Sequence, residues 1–166
     1  MKLGLPKESH AGESRVAIIP ANVARLLKNN LQVLVESGAG SNAGFTDEDY
    51  LQAGASIVSR EQVFSDADII TVVNAKDEQL AELKSVIKPQ QIVIGMMDPL
   101  AHPENAQALA ETGATAIALE LVPRITRAQS MDILSSMATI AGYKAVLLAA
   151  HKAPRLFPMM MTAAGT

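Results

Sequence analysis

The chain has 166 residues, 49% of them hydrophobic and 19% charged, with a formal net charge of -3 and no cysteine. That balance excludes a disordered chain and bulk electrostatic attraction to nucleic acid. The absence of cysteine removes disulfides, thiolate nucleophiles and cysteine-ligated metals.

The length suits one domain with its own core, and a cytoplasmic site is the default expectation because no export signal precedes the first strand pattern. Strand Lys2–Leu5 comes first and leads into a polar loop, Pro6 to Arg15, that carries Lys7, Glu8, His10, Glu13 and Arg15. Pro20 opens a helix whose apolar stripe is Val23, Leu26 and Leu27. Strand Gln32–Glu36 runs into Gly38-Ala39-Gly40-Ser41-Asn42-Ala43-Gly44. Thr46 with Asp49 marks the start of a short helix, and Ser59 with Gln62 has capping-box spacing after strand Ser56–Val58. Then follow strand Asp68–Val73, an amphipathic helix from Asp77 to Val86, strand Ile92–Met96, a helix from Pro103 to Thr112 closed by Gly113, and strand Thr115–Leu119. The strands are short apolar runs without strict alternation, as expected where both faces are covered.

A long helix is expected from Arg127 to His151, with Ile133, Leu134, Met137, Ile140, Ala141, Ala145 and Leu148 on one broad apolar face. Tyr143 on this helix could line a ligand cleft, but a core residue with its hydroxyl tied to a partner is the favoured reading. Lys144, His151, Lys152 and Arg155 break the apolar run, so no window is expected to reach the ~18 residues of a membrane span. No strand follows; Phe157 to Met161 read as soft packing against a further domain, into which Ala163-Ala164-Gly165-Thr166 lead. The alternation predicts an α/β fold: a doubly wound, mainly parallel sheet flanked by helices, Rossmann-like or flavodoxin-like, ending in a long helix.

Three stretches invite a functional reading. The glycine turn has the spacing G-x-G-x-x-x-G and is followed by a short helix, not by the long one whose N-terminus would face a pyrophosphate. The next strand region, Ala55 to Ser59, offers no acidic residue for a ribose, so a tight surface turn is the favoured reading over a complete G-x-G-x-x-G site. The Pro6 to Arg15 loop lies where such sheets bind ligands, and Arg15 there could grip a carboxylate or phosphate bidentately; solvated surface charges are the plainer alternative. In Pro123 to Ser136, Gln129, Asp132 and Ser136 fall at helical spacing, giving a hydrogen-bonding face suited to an amide or a ribose. The alternative is an ordinary helix start capped by Ser130 or Thr126.

The run Val122-Pro123-Arg124-Ile125-Thr126-Arg127-Ala128-Gln129-Ser130-Met131-Asp132-Ile133-Leu134-Ser135-Ser136, continuing through Gly142-Tyr143-Lys144, closely resembles the NAD(H)-binding component of the proton-translocating NAD(P) transhydrogenases. Gly4-Leu5-Pro6-Lys7-Glu8, Arg15-Val16-Ala17 and Val35-Glu36-Ser37-Gly38-Ala39-Gly40 are similar to the wider family that includes the alanine dehydrogenases. The resemblance implies an oxidoreductase in which NAD(H) lies between two domains and NADP(H) is supplied by a partner component. On that basis residues 1–126 form the first α/β domain, and 127–166 form the long helix and a connector to a second, nucleotide-binding domain. It also implies that Arg124, Thr126, Asp132 and Ser135 contact the nicotinamide end of NAD(H), and that Gln129 reaches toward the NADP(H) of the partner. Gln129 and Asp132 are thus the residues placed nearest the hydride step, and no metal is implied. The implied partners are the second domain, the NADP(H)-binding and membrane-embedded components and a second copy in a homodimer, with the chain peripheral to the inner membrane on its cytoplasmic side.

The alanine dehydrogenases use an arginine matching Arg15 for the substrate carboxylate, together with a lysine and a histidine. Asn74 stands at the lysine's position and Met96, Met97 or Asp98 at the histidine's, with His102 a few residues late, which argues against amino-acid oxidation. By itself the chain is expected to be inactive or nearly so.

Overall fold

Strand pairing in the computed structural model, which describes residues 1–75 and 77–155, follows the alternation read from the sequence. The strands are β1 (Lys2–Leu5), β2 (Gln32–Glu36), β3 (Ser56–Val58), β4 (Ile69–Asn74), β5 (Ile92–Met96) and β6 (Thr115–Ala118). They form one six-stranded sheet in the order β3-β2-β1-β4-β5-β6, with every pair parallel. The chain winds outward from β1 in one direction, then returns to lay β4 on its other side. The C-terminal ends of β1 and β4 therefore mark the topological switch point, where connecting loops diverge.

Helices α1 (Pro20–Lys28), α2 (Asp47–Gln52), α3 (Arg60–Asp66), α4 (Asp77–Val86) and α5 (Pro103–Ala110) connect the strands. Side chains alternate across a strand, so Leu3 and Leu5 point to one face and Gly4 to the other. Leu3, Leu5, Val33 and Val35 pack with Val23 of α1 and Tyr50 of α2 in one core. Ile70, Val72 and Val93 pack with Val63, Phe64, Leu83 and Leu109, from α3, α4 and α5, in the other. Tyr50 is fully buried and its hydroxyl donates to the Ile18 carbonyl at 2.8 Å. Burial, and behind it the charge of Asp49, pushes that phenol up to about 12.

The expected capping box at Ser59 and Gln62 forms, and the helix start expected at Thr46 is a second one. Thr46 accepts from the Asp49 N–H while Asp49 accepts from Thr46, and Ser59 and Gln62 do the same at α3. β4 runs one residue later than expected, and α5 closes at Ala110 with Thr112 in the turn beyond it.

The chain divides into two compact units, Met1–Val122 and Pro123–Thr166. In the second, the structure corrects the expected helix start. Residues Thr126–Met131 form a 3-10 stretch, and the long helix α6 spans Ile133–Lys152. Asp132 has extended backbone, φ -77° and ψ 95°, because its side chain caps α6 and so must lie outside the helix. Gln129, Asp132 and Ser136 consequently do not share a helical face, and neither Ser130 nor Thr126 is the cap.

Two further expectations for α6 are corrected. Tyr143 is 70% exposed, not a core residue. Its apolar residues are spread around the helix and not gathered on one face, and by length and composition alone it is long and apolar enough to cross a membrane. Lys144 and the terminal His151 and Lys152 do not lower its average enough to prevent this. A core helix of a soluble protein can have the same length and composition, so these assign no location. The readings on Phe157 to Met161 and on the closing Ala163 to Thr166 lie outside the described residues.

Gly4 sits where α3 crosses β1: a Cβ added there would lie 2.8 Å from the Ala67 Cβ and 2.9 Å from Val63 Cγ1. Gly4→Ala is expected to destabilise the fold by about 1–3 kcal/mol through overpacking. In urea unfolding this would lower the midpoint without changing the slope; an unchanged midpoint would show that α3 is not seated on β1.

Candidate functional site

Backbone N–H groups at the C-terminal edge of the sheet need acceptors, and carboxylates supply them at four strands. Glu36 Oε2 accepts from the Lys7 N–H beyond β1 at 2.7 Å. Asp47 accepts from the Gly38 N–H beyond β2 at 2.7 Å and from the Ser37 hydroxyl at 2.7 Å. Glu8 accepts from the Val73 N–H of β4 at 2.6 Å and, more weakly, from that of Asn74 at 3.4 Å. Glu120 accepts from the Met97 N–H beyond β5 at 2.6 Å and from that of Asp98.

The Gly38 N–H is committed to Asp47, and the N–H groups of Ala39, Ser41, Ala43, Gly44 and Phe45 are committed to carbonyls within residues 36–41. Those donors, which would have to turn toward a pyrophosphate, are already engaged, and a carboxylate stands beside them. Gly40 has a packing role: a Cβ there would lie 2.7 Å from the Tyr50 ring. Gly38 and Gly44, at φ +75° and +84°, serve the turn itself.

At the switch point the Pro6 to Arg15 loop is built into the fold. Arg15 forks onto Glu13, with Nε donating to Oε1 at 2.7 Å and Nη2 to Oε2 at 2.6 Å. The Arg15 N–H reaches Glu13 Oε1 at 2.9 Å, and Asn74 Nδ2 donates to Oε2 at 2.6 Å. The Arg15 hydrogen bond holds the Glu13 carboxyl below the usual carboxylate range, whereas burial pushes that of Glu8 above it. Arg60, at the start of α3, adds a second cation: it forks onto Glu82 of α4, reaches Glu36 Oε2 at 2.5 Å and donates to the Lys7 carbonyl at 3.0 Å. Ser9 donates through N–H and hydroxyl to the buried Gln79 at 2.7 and 2.6 Å. His102, the displaced candidate for the dehydrogenase histidine, lies on the surface at 3.0 Å from Glu104.

In the second unit, the structure joins Asp132 to Ser135. Asp132 Oδ1 accepts from the Ser135 N–H at 3.0 Å and Oδ2 from its hydroxyl at 2.6 Å, which holds the carboxyl below its ordinary value; Arg124 adds a smaller effect of the same sign. Arg124, Thr126 and Gln129 are exposed, and Thr126 and Gln129 ride on the 3-10 stretch. The run thus offers a guanidinium, hydroxyls, an amide and an ionised carboxylate at a helix start. Such a set can hold a carboxamide, which donates and accepts together, and contains no group tuned to exchange protons near neutral pH.

Sequence reasoning missed Glu36, Asp47, Glu120 and Arg60. Their partners lie 9 to 53 residues away along the chain, and no periodicity reports such pairs.

Comparison with known proteins returns a family model described as the alanine dehydrogenase/PNT N-terminal domain, matching residues 4–141. NAD(P) transhydrogenase subunit alpha of Cereibacter sphaeroides is 42% identical over 99% of the chain, which spans 31% of that relative. Alanine dehydrogenase of Bacillus subtilis is 36% identical over 91% of the chain and 38% of the relative. The solved transhydrogenase of Sinorhizobium meliloti is 42% identical with a TM-score of 0.87, over 99% of this chain and 48% of that one. The chain spans less than half the length of each of these relatives.

The Glu13 pair has a pH signature. Its folded pKa lies below the ordinary 4.5, so its contribution is complete above that value and is lost as pH falls through the folded one. Glu8 has the opposite sign: its share is present below 4.5 and lost as pH rises through its raised value. Glu13→Gln is expected to cost about 1–3 kcal/mol at neutral pH, leaving Asn74 and Arg15 poorly matched. Denaturant unfolding should show the difference from the parent shrinking below 4.5; a pH-independent difference would remove the ion pair from the account.

Proposed function

This chain belongs to the alanine dehydrogenase/PNT N-terminal domain family, and from that premise we propose that it forms the nicotinamide-side part of the NAD(H) site in a transhydrogenase alpha subunit. The activity of the assembled protein is hydride transfer from NADH to NADP⁺, coupled to proton translocation. Arg124, Thr126, Asp132 and Ser135 hold the carboxamide of NAD(H), and Gln129 reaches toward the NADP(H) carried by the partner component.

The observation that carries this reading is the Asp132–Ser135 pair at the start of α6, a carboxylate acceptor beside a hydroxyl and within the field of Arg124. The nicotinamide cofactors supply the hydride chemistry when bound. The contribution of these side chains is orientation, because direct transfer needs the reacting carbons about 3–3.5 Å apart and no protein acid or base. With the Gly38 donor committed to Asp47, the pyrophosphate is left to a second, nucleotide-binding domain. The chain alone is therefore inactive or nearly so. Its further partners are the NADP(H)-binding and membrane-embedded components and a second copy of itself, and it sits at the cytoplasmic side of the inner membrane through them. Against the amino-acid dehydrogenase reading stand Asn74 in place of a lysine and the engagement of Arg15 with Glu13.

Titration of NADH into the chain, followed by amide NMR shifts, tests this. Weak shifts confined to residues 124–136 are expected, and tight binding centred on residues 38–44 would overturn the reading. Asp132→Asn keeps an oxygen for the cap but removes the charge. It is expected to leave the helix content by circular dichroism unchanged while reducing the shifts at Arg124 and Ser135; full-sized shifts in this variant would exclude the carboxylate from the site.

A further inference from the structure

We propose that the groove between α3 and α4 is a binding site for a small amphiphilic anion, an acid with one anionic head and a short apolar tail. The groove encloses about 340 Å³. Its walls are Phe64 of α3 and Val86 of α4; Arg60, Glu61 and Glu82 stand at one end, and Ser65 and Lys88 at the other. A volume of this order lies in the range of small-molecule sites, which are mostly apolar with a few placed polar groups. None of these residues belongs to the run proposed to hold the carboxamide, so the site stands apart from that reading.

Polar braces at both ends keep the groove from closing. At one end Arg60 forks onto Glu82, with its guanidinium 5.5 Å from the centroid of the Phe64 ring. At the other, Lys88 Nζ donates to the Ser65 carbonyl at 2.9 Å, so its stem reaches from beyond α4 to the last turn of α3. Behind it the buried Gln91 accepts from the Lys88 N–H at 2.7 Å and donates to the Phe64 and Ala67 carbonyls at 2.9 and 2.8 Å. That end is thereby fixed to the start of β5. On its other flank α4 packs against α5, and the interval toward α3 is left for an occupant from outside.

The two ends differ in sign, and this orients the ligand. Arg60 is already met by Glu82 and Glu36, and Glu61 adds an exposed carboxylate beside it. Lys88 is exposed and has no carboxylate partner among the described ion pairs. Only a neutral carbonyl takes one of its ammonium donors. Asp66 is near enough to feel this lysine, but its carboxylate already accepts from the Ser65 hydroxyl at 2.8 Å and from Lys2 at 3.4 Å. An anionic head is therefore drawn to Lys88 and repelled from Glu61, and the tail lies between Phe64 and Val86. Arg60 and Ser65 stand about 7.5 Å apart along α3, at about 1.5 Å per residue, which suits a tail of about five carbons.

The test is an NMR titration of the chain with hexanoate, and with hexylammonium as a probe of similar tail and opposite head. Hexanoate should give saturable shifts at Phe64, Val86 and Lys88, and each methylene added from butanoate to hexanoate should tighten binding by about fourfold. Hexylammonium should bind more weakly. Lys88→Gln should weaken hexanoate by about two- to fivefold while keeping the gain per methylene, and should leave hexylammonium no weaker. Val86→Trp, which fills the groove from α4, should abolish the shifts in a chain whose amide spectrum is otherwise that of the parent. The proposal fails if hexanoate gives no saturable shift, if its shifts centre on the exposed apolar residues of α6, or if hexylammonium binds as tightly. It fails equally if Lys88→Gln binds hexanoate as the parent does, and this variant decides should Val86→Trp not fold, because it alters only an exposed side chain. Failure here leaves the reading of residues 124–136 standing, since that is tested by NADH shifts at other positions.

Discussion

The N–H groups at the C-terminal edge of a parallel sheet must find acceptors where the strands end and the loops diverge, and here carboxylates provide them. Glu36, Asp47, Glu8 and Glu120 each take one or two such groups from a neighbouring segment. Each bond is charge-assisted, so it fixes a loop more firmly than a neutral acceptor would. Concentrating carboxylates on one edge also makes that edge anionic, and Arg15 and Arg60 offset part of this charge through forked pairs with Glu13 and Glu82. Arg60 further ties the Lys7 loop and the end of β2 to α4, so three elements separate in sequence share one guanidinium.

An edge organised this way is poorly suited to phosphates. The anion-binding capacity that glycine turns have in doubly wound folds depends on free N–H groups and a helix start without a competing carboxylate. Asp47 removes both conditions at Gly38. The polar run that begins at Arg124 has a different character: exposed, mixed in donors and acceptors, and anchored by an N-cap that doubles as its carboxylate. The chemistry of the first unit is thus largely internal, and that of the second is turned outward.

The fold was largely legible in the sequence because it rests on local signals. Apolar runs separated by capped helices specify the strands, and the Thr46–Asp49 and Ser59–Gln62 spacings locate two helix starts that the structure reproduces. The candidate site was legible in composition but not in geometry. Asp132 could be singled out, yet helical spacing placed it inside a helix, while its short side chain captures the Ser135 N–H and puts it at the cap. Tyr143 was misplaced because an apolar stripe was read as a buried one, whereas the apolar residues of α6 are spread around the helix and exposed. The edge carboxylates went unread for a different reason. Glu8 finds Val73 across 65 residues, and only the sheet order makes that pairing visible.

The central place of β1 has a consequence for how the domain is made. It is the first of the six strands in chain order, yet the sheet closes on both of its sides. During synthesis its first neighbour is complete at Glu36, and its second only at Asn74. At about 5–20 residues per second, the side of β1 that β4 fills stays open for roughly 2–8 s after β2 is complete, during which an apolar strand edge is available to other nascent chains. The innermost strand of the finished sheet is therefore the one with the longest exposure on the ribosome, and its shortness, four residues with glycine among them, keeps that edge a weak template.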